Sequence, residues 1–290
     1  MHLGFAAAAV PDPATSWIPR GFLLALLLWA LNRNIAPPLG WETFRQASVP
    51  GGEVEILGIG RHSATVVFVH GLGGSAAQLT PIVYKLRKHL VQVAFVLPSA
   101  NYIPLTCKRG VSIPAWFDIL AVPSGPTAPM PTREDQLGME MATQRIHKII
   151  RDQVEREGID EDRIVLAGFS QGKSCCATAL LSALSYPGKL AGVACLSGWL
   201  PLTDKIKRDR DIYRHPLQSE HAHEMPVFWG HGTKDPVVRH HWARESIEHL
   251  YRMGFTNISF HSYPGMLHDL WQPELQTDLQ AWLQDRLPPI

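Results

Sequence analysis

From about residue 53 to the end, short uninterrupted apolar runs alternate with segments of helical periodicity, and this alternation leaves few folds open. Runs at 64–70, 92–98, 163–169, 190–197, 226–231 and 257–263 have the length of strands and little polar alternation. A strand with water on one face alternates apolar and polar residues; one that is apolar throughout is covered on both faces. The segments between them, 75–90, 134–157, 171–186, 238–253 and 274–287, carry helical spacing. The expectation is an α/β fold, a mostly parallel twisted sheet with helices on both faces. Residues 99–133, rich in Pro and Gly, read as a loop. Ligands of such sheets bind at the carboxyl ends of the strands, so those ends are where chemistry is sought.

Composition supports a core of that size. Of 290 residues, 46% are hydrophobic and 18% charged, which excludes disorder as the dominant state. The 27 basic and 26 acidic side chains leave a net charge of +1, with no whole-chain electrostatic case for nucleic acid. The four cysteines, Cys107, Cys175, Cys176 and Cys195, show no C-x-x-C pair and are expected to be reduced and mostly buried. The neighbouring histidines His221, His223, His240 and His241 match no helical ligand pattern, so no metal is expected.

The chain divides into an N-terminal extension, 1–52, and a domain, 53–290. Within the extension, residues 21–31 form an apolar run of 11 residues. As a helix it would span about 16 Å, short of the ~30 Å hydrocarbon core of a bilayer. Its length suits the apolar core of a signal peptide, but Asp12, three prolines and a single Arg precede it, and no clear cleavage site follows. The alternatives are a targeting or anchoring segment and an extension packed on the domain.

The most informative segment is 163–174, RIVLAGFSQGKS. Gly168-Phe169-Ser170-Gln171-Gly172 is a G-x-S-x-G sequence between an expected strand and an expected helix, the context of a nucleophile elbow. There a tight turn exposes the Ser hydroxyl above the sheet, and the N–H of the next residue, Gln171, points into an oxyanion site. The same residues nearly spell a phosphate loop, with Ala167 in place of its first Gly. A phosphate loop also needs an Asp after an apolar strand, and 190–197 ends in Ser-Gly-Trp.

The hydrolase reading makes further demands, in the chain order Ser, acid, His. Asp235, in GHGTKDPV (230–237), and His268, in PGMLHD (264–269), each follow an expected strand end. Asp269 and Asp278 are rival acids, but both come after the histidine. A glycine loop after the first strand, His70-Gly71-Leu72-Gly73-Gly74, stands where a second oxyanion donor is needed. Read as a dinucleotide fingerprint, that loop lacks its acid, since no Asp or Glu lies between Glu55 and Asp118.

With these parts in place, the chain resembles the acyl-protein thioesterase family, the carboxylesterase and lysophospholipase branch of the α/β-hydrolases. The stretches that carry the resemblance are 68–74, 114–119, 162–172, 189–202, 230–238 and 264–269, in family order. The resemblance implies an α/β-hydrolase fold with Ser170 as nucleophile, Asp235 and His268 as its partners, and Leu72 and Gln171 as oxyanion donors. It implies hydrolysis of long-chain acyl thioesters on proteins, with lysophospholipids and small esters as further substrates, in the cytoplasm and without cofactor or metal. Membrane contact or targeting would run through 21–31, and nothing indicates an oligomeric state. Two departures stand out: Lys173 replaces a small residue, and the first fifty residues have no family counterpart.

Trp116, Phe117 and Trp199 are candidates for lining an acyl groove, with ordinary core packing the alternative. Lys173, expected in the first turn after the elbow, either faces the site, assisting the oxyanion and lowering the histidine pKa, or turns outward into water. The alternatives in function are a general carboxylesterase without protein substrates, a phosphate-loop nucleotide-binding protein and a catalytically silent acyl-binding module.

Overall fold

A computed structural model of the chain describes residues 43–49, 52–58, 62–170, 175–203 and 222–290. The apolar segment 21–31, Gln171 and Lys173 lie outside the described residues. Strands β1 (Thr43–Val49), β2 (Gly52–Gly58), β3 (Ala64–Val69), β4 (Val93–Pro98), β7 (Ile164–Phe169), β8 (Gly192–Leu196), β9 (Val227–Gly232) and β10 (Ile258–Tyr263) form one sheet. Its order is β1-β2-β4-β3-β7-β8-β9-β10. The six strands from β4 to β10 run parallel, and β2 and β1 extend the edge antiparallel. Among the described residues, the α-helices are α1 (Ala76–Leu86), α2 (Gln136–Glu157), α3 (Cys175–Ser185), α4 (His240–Arg252) and α5 (Pro273–Arg286).

Each buried strand feeds two cores because successive side chains point to opposite faces. Val67 and Val69 of β3 join Ile146 and Ile150 of α2, Leu180 of α3 and Leu250 of α4. Val66 and Phe68 join Leu79 and Ile82 of α1 with Leu275 and Leu279 of α5. Truncating one such Leu or Ile to Ala costs about 2–5 kcal/mol. The doubly covered sheet is the physical outcome of the continuous apolar runs. All six strands expected from those runs are present, with ends shifted by no more than a few residues.

Two features were not anticipated. Strands β1 and β2 precede the first expected strand, and β1 falls within the segment 1–52. The loop 99–133 contains an antiparallel hairpin, β5 (Tyr102–Leu105) and β6 (Val111–Pro114), turned by Arg109 and Gly110 at positive φ. Cys176 and Cys195, expected as reduced thiols, form a disulfide where α3 packs on β8, with Cα atoms 4.9 Å apart. Cys107 is free. Among the described residues, no helix is long and apolar enough to cross a membrane.

Candidate active site

The carboxyl ends of β3, β7, β9 and β10 meet around Ser170. Ser170 follows the last residue of β7, and its N–H donates to the Leu196 carbonyl of β8 at 2.9 Å. That bond carries the sheet pattern one residue further and holds the serine over the strand ends. Its hydroxyl is hydrogen-bonded to Nε2 of His268. The glycine loop after β3 passes directly beside it. A Cβ on Gly71 would sit 2.4 Å from the Ser170 carbonyl oxygen, so only glycine fits there.

The acid and the histidine come from two loops that are fastened together. Asp235 lies after β9, and its Oδ2 accepts from Nδ1 of His268 at 2.6 Å. Its other oxygen, Oδ1, accepts the N–H groups of Val237 at 2.8 Å and Val238 at 2.9 Å. The Asp235 carboxylate is fully enclosed, so these partners replace its water. The Thr233 and Lys234 N–H groups donate to Tyr263 O at 3.0 Å and Met266 O at 3.1 Å. The Gly265 N–H returns a bond to Oγ1 of Thr233 at 3.0 Å. A Cβ on Gly232 would lie 2.3 Å from the Met266 carbonyl oxygen, so the approach of the two loops again requires glycine.

These contacts fix the tautomer of His268. A carboxylate can only accept, so Nδ1 carries the proton and Nε2 presents its lone pair to the serine hydroxyl. The Phe169 ring lies against the imidazole, with centroids 5.3 Å apart. The geometry is that of a general base poised on a nucleophile and oriented by a buried anion.

On the other side of Ser170, the glycine loop hangs from His70. The His70 ring donates from Nδ1 to the Gly71 carbonyl at 2.7 Å and accepts the Ala100 N–H at Nε2, at 2.8 Å. Burial, opposed by the bond to Gly71 and reinforced by nearby Arg145, holds its pKa down at about 4. The ring is therefore neutral near pH 7. Trp116 donates from its indole N–H to the His70 carbonyl at 3.1 Å. In the loop itself, Gly73 and Gly74 donate to Pro114 O at 2.8 Å and Gly71 O at 2.9 Å.

A cleft of ≈ 630 Å³ opens over Ser170 and His268, within the usual size range of ligand pockets. Leu72, Leu79, Phe169, Val237, Leu270 and Trp271 give it apolar walls. The structure brings Ser170, Asp235, His268 and Leu72 together here. It does not bring Trp116, Phe117 or Trp199 to the lining of this cleft. They are only 6%, 3% and 2% exposed. Trp116 braces the glycine loop, while Trp199 donates to Glu134 at 3.3 Å and packs on Trp242. Phe117 and Trp199 instead border a separate small cavity of ≈ 20 Å³. The sequence reading gave no role to His70 or His231. The only signal was position, since each is the polar residue at the end of an apolar strand and beside a glycine.

A parallel sheet with a serine, histidine and carboxylate at its strand ends defines an α/β-hydrolase. The chain belongs to the phospholipase/carboxylesterase family, whose model matches residues 53–285. Acyl-protein thioesterase 1 of Cryptococcus neoformans is 38% identical over 238 residues, covering 78% of this chain and 93% of the relative. Acyl-protein thioesterase 1 of Neurospora crassa is 36% identical over 80% of this chain and 90% of its own. The crystal structure of Arabidopsis thaliana SOBER1 superposes with a TM-score of 0.66 at 29% identity, covering 77% of this chain and 99% of that one. Zea mays acyl-protein thioesterase 2 gives 0.66 at 27% identity, over 81% and 99%.

Proposed function

We propose that this chain hydrolyses long-chain acyl thioesters on S-acylated proteins, and lipid or small carboxylic esters more broadly, with Ser170, His268 and Asp235 as its triad. The observation that carries this reading is the continuous relay from the Ser170 hydroxyl through His268 to the enclosed Asp235 carboxylate. The acyl-protein thioesterase relatives support the thioester as substrate.

Ser170 Oγ attacks the carbonyl carbon while Nε2 of His268 takes its proton. Asp235 stabilises the imidazolium that forms. The tetrahedral oxyanion is held by the N–H of Leu72 and that of Gln171, each donor worth about 3–4 kcal/mol. Leu72 fits this role because it borders the cleft and the N–H groups of Gly73 and Gly74 are committed elsewhere. The C–S bond then breaks, the leaving thiolate takes the proton from His268, and an acyl ester remains on Ser170. Water, deprotonated by the same imidazole, attacks that ester; the Oγ–C bond breaks, Ser170 Oγ takes the proton back from His268, and the fatty acid is released. The apolar walls of the cleft favour substrates with an acyl chain. Residues 21–31 would supply transient contact with a membrane surface in an otherwise cytoplasmic protein.

Turnover of a palmitoyl thioester, lost in Ser170→Ala, tests the proposal. Turnover of short oxyesters without any of the thioester would instead select a general carboxylesterase. Absence of both activities would overturn the reading.

A further inference from the structure

The second buried histidine of the site, His231, has no part in the relay, yet its ring lies beside the acid. It belongs to the end of β9 and is fully enclosed. Its Nε2 faces two oxygens, the Val238 carbonyl at 2.9 Å and Asp235 Oδ2 at 3.5 Å. Both can only accept, so Nε2 carries the proton. Its Nδ1 is buried with no hydrogen-bond partner among the described residues. A second proton there would place an unpaired cation in the interior. Burial accordingly lowers the pKa to about 4, opposed by the bond to the Val238 carbonyl and then by Asp235, and with smaller lowering contributions from His240 and His268. The ring is a neutral donor throughout the physiological range.

The backbone of Val238 is gripped on both sides of its Cα. Asp235 Oδ1 takes its N–H, and His231 takes its carbonyl. The Asp235 carboxylate is thus tied to a residue that is itself anchored to the sheet through His231. Rotating the carboxylate away from His268 would require the 235–238 turn to move as a unit.

We infer that His231 is a positioning residue for catalysis, holding the 235–238 turn so that Asp235 Oδ2 stays on Nδ1 of His268. This inference rests on the triad reading above. It adds a residue that touches neither substrate nor the reacting atoms and acts through Asp235. Without the clamp, the carboxylate keeps its own donors but loses its fixed bearing on His268. A displacement of about 1 Å at a catalytic group can lower the rate about a hundredfold.

The test compares His231→Leu, which removes the donor and keeps the bulk, with His231→Gln, whose amide N–H reaches the position of Nε2. Turnover of a short-chain ester is followed as kcat and KM across pH, with wild type as reference. In His231→Leu, kcat should fall about a hundredfold with KM little changed. The acidic limb of kcat/KM should move to lower pH, because an imidazolium without its carboxylate loses its proton more readily. His231→Gln should recover most of kcat and restore the limb. A merely destabilised protein would lose active molecules without moving the limb. Full activity in His231→Leu, a loss of kcat with an unmoved limb, or a loss that Gln does not rescue would each overturn the inference. Inactivity of the wild type would instead count against the triad reading.

Discussion

Each side of the cleft hangs from a buried neutral histidine at the end of a parallel strand, and the two are satisfied differently. His70, beyond β3, uses both ring nitrogens, one on Gly71 and one on Ala100. His231, in β9, uses one, and the other has no partner among the described residues. The first ring closes a structural brace under the glycine loop. The second lies against the acid of the relay, with Nε2 3.5 Å from Asp235 Oδ2. A fully satisfied buried polar network rigidifies its surroundings, whereas a buried group left short of a partner is costly and calls for an explanation.

The relay side should be the more sensitive to charge. Asp235→Asn retains the shape of the side chain but removes the anion and favours the wrong imidazole tautomer. Steady-state assays should show kcat lower by about 10⁴-fold. The close approaches come next. A Cβ at Gly232 or at Gly71 meets backbone within 2.4 Å, on the relay side and the oxyanion side respectively. Gly232→Ala and Gly71→Ala should each cost about a hundredfold in kcat/KM, because a loop must shift by a fraction of an ångström or more. If only one of them matters, the two sides do not contribute equally.

His70→Leu should separate brace from relay. It leaves the Ala100 N–H without its partner, at about 1–3 kcal/mol, while the Gly71 carbonyl keeps only the Gly74 N–H, so thermal unfolding should occur at a lower temperature. The acidic limb of the rate profile should stay in place, in contrast to His231→Leu. A moved limb would mean that the oxyanion side also sets the basicity of His268.

The remaining effect concerns pH and stability. Both histidines are held near 4 in the folded chain, below the ordinary value of 6.5. Between those values the unfolded chain binds more protons. Stability should therefore be level above about pH 6.5 and decline as pH falls from there toward 4. Melting temperatures across this range should follow that course, with a shallower decline in His70→Leu.

The strands were legible in the sequence because their cover on both faces makes them apolar throughout. The hairpin β5–β6 was not, since Pro104 and Pro114 and exposed side chains give it no apolar run. Strands β1 and β2 are added antiparallel at the sheet edge and carry polar residues such as Arg45, Gln46, Glu53 and Glu55 in place of a continuous apolar run. Ser170, Asp235 and His268 could be selected because each follows a strand end in the required order, with the family resemblance needed as well to single out His268 among the histidines. The environment of Trp116, Phe117 and Trp199 depends on how the 99–133 segment folds back, and an aromatic side chain looks the same in sequence whether it faces a groove or a core. The bracing histidines were invisible for a related reason: burial, which makes them neutral, is a tertiary property.

The central claim is that Ser170 is the nucleophile activated by this relay. Treatment with a fluorophosphonate probe, followed by mass-spectrometric mapping of the adduct, tests it most directly. A single adduct on Ser170, absent from Ser170→Ala and strongly slowed in Asp235→Asn, is the predicted result. Labelling that persists in Ser170→Ala, or an adduct on another residue of the intact protein, would contradict the account.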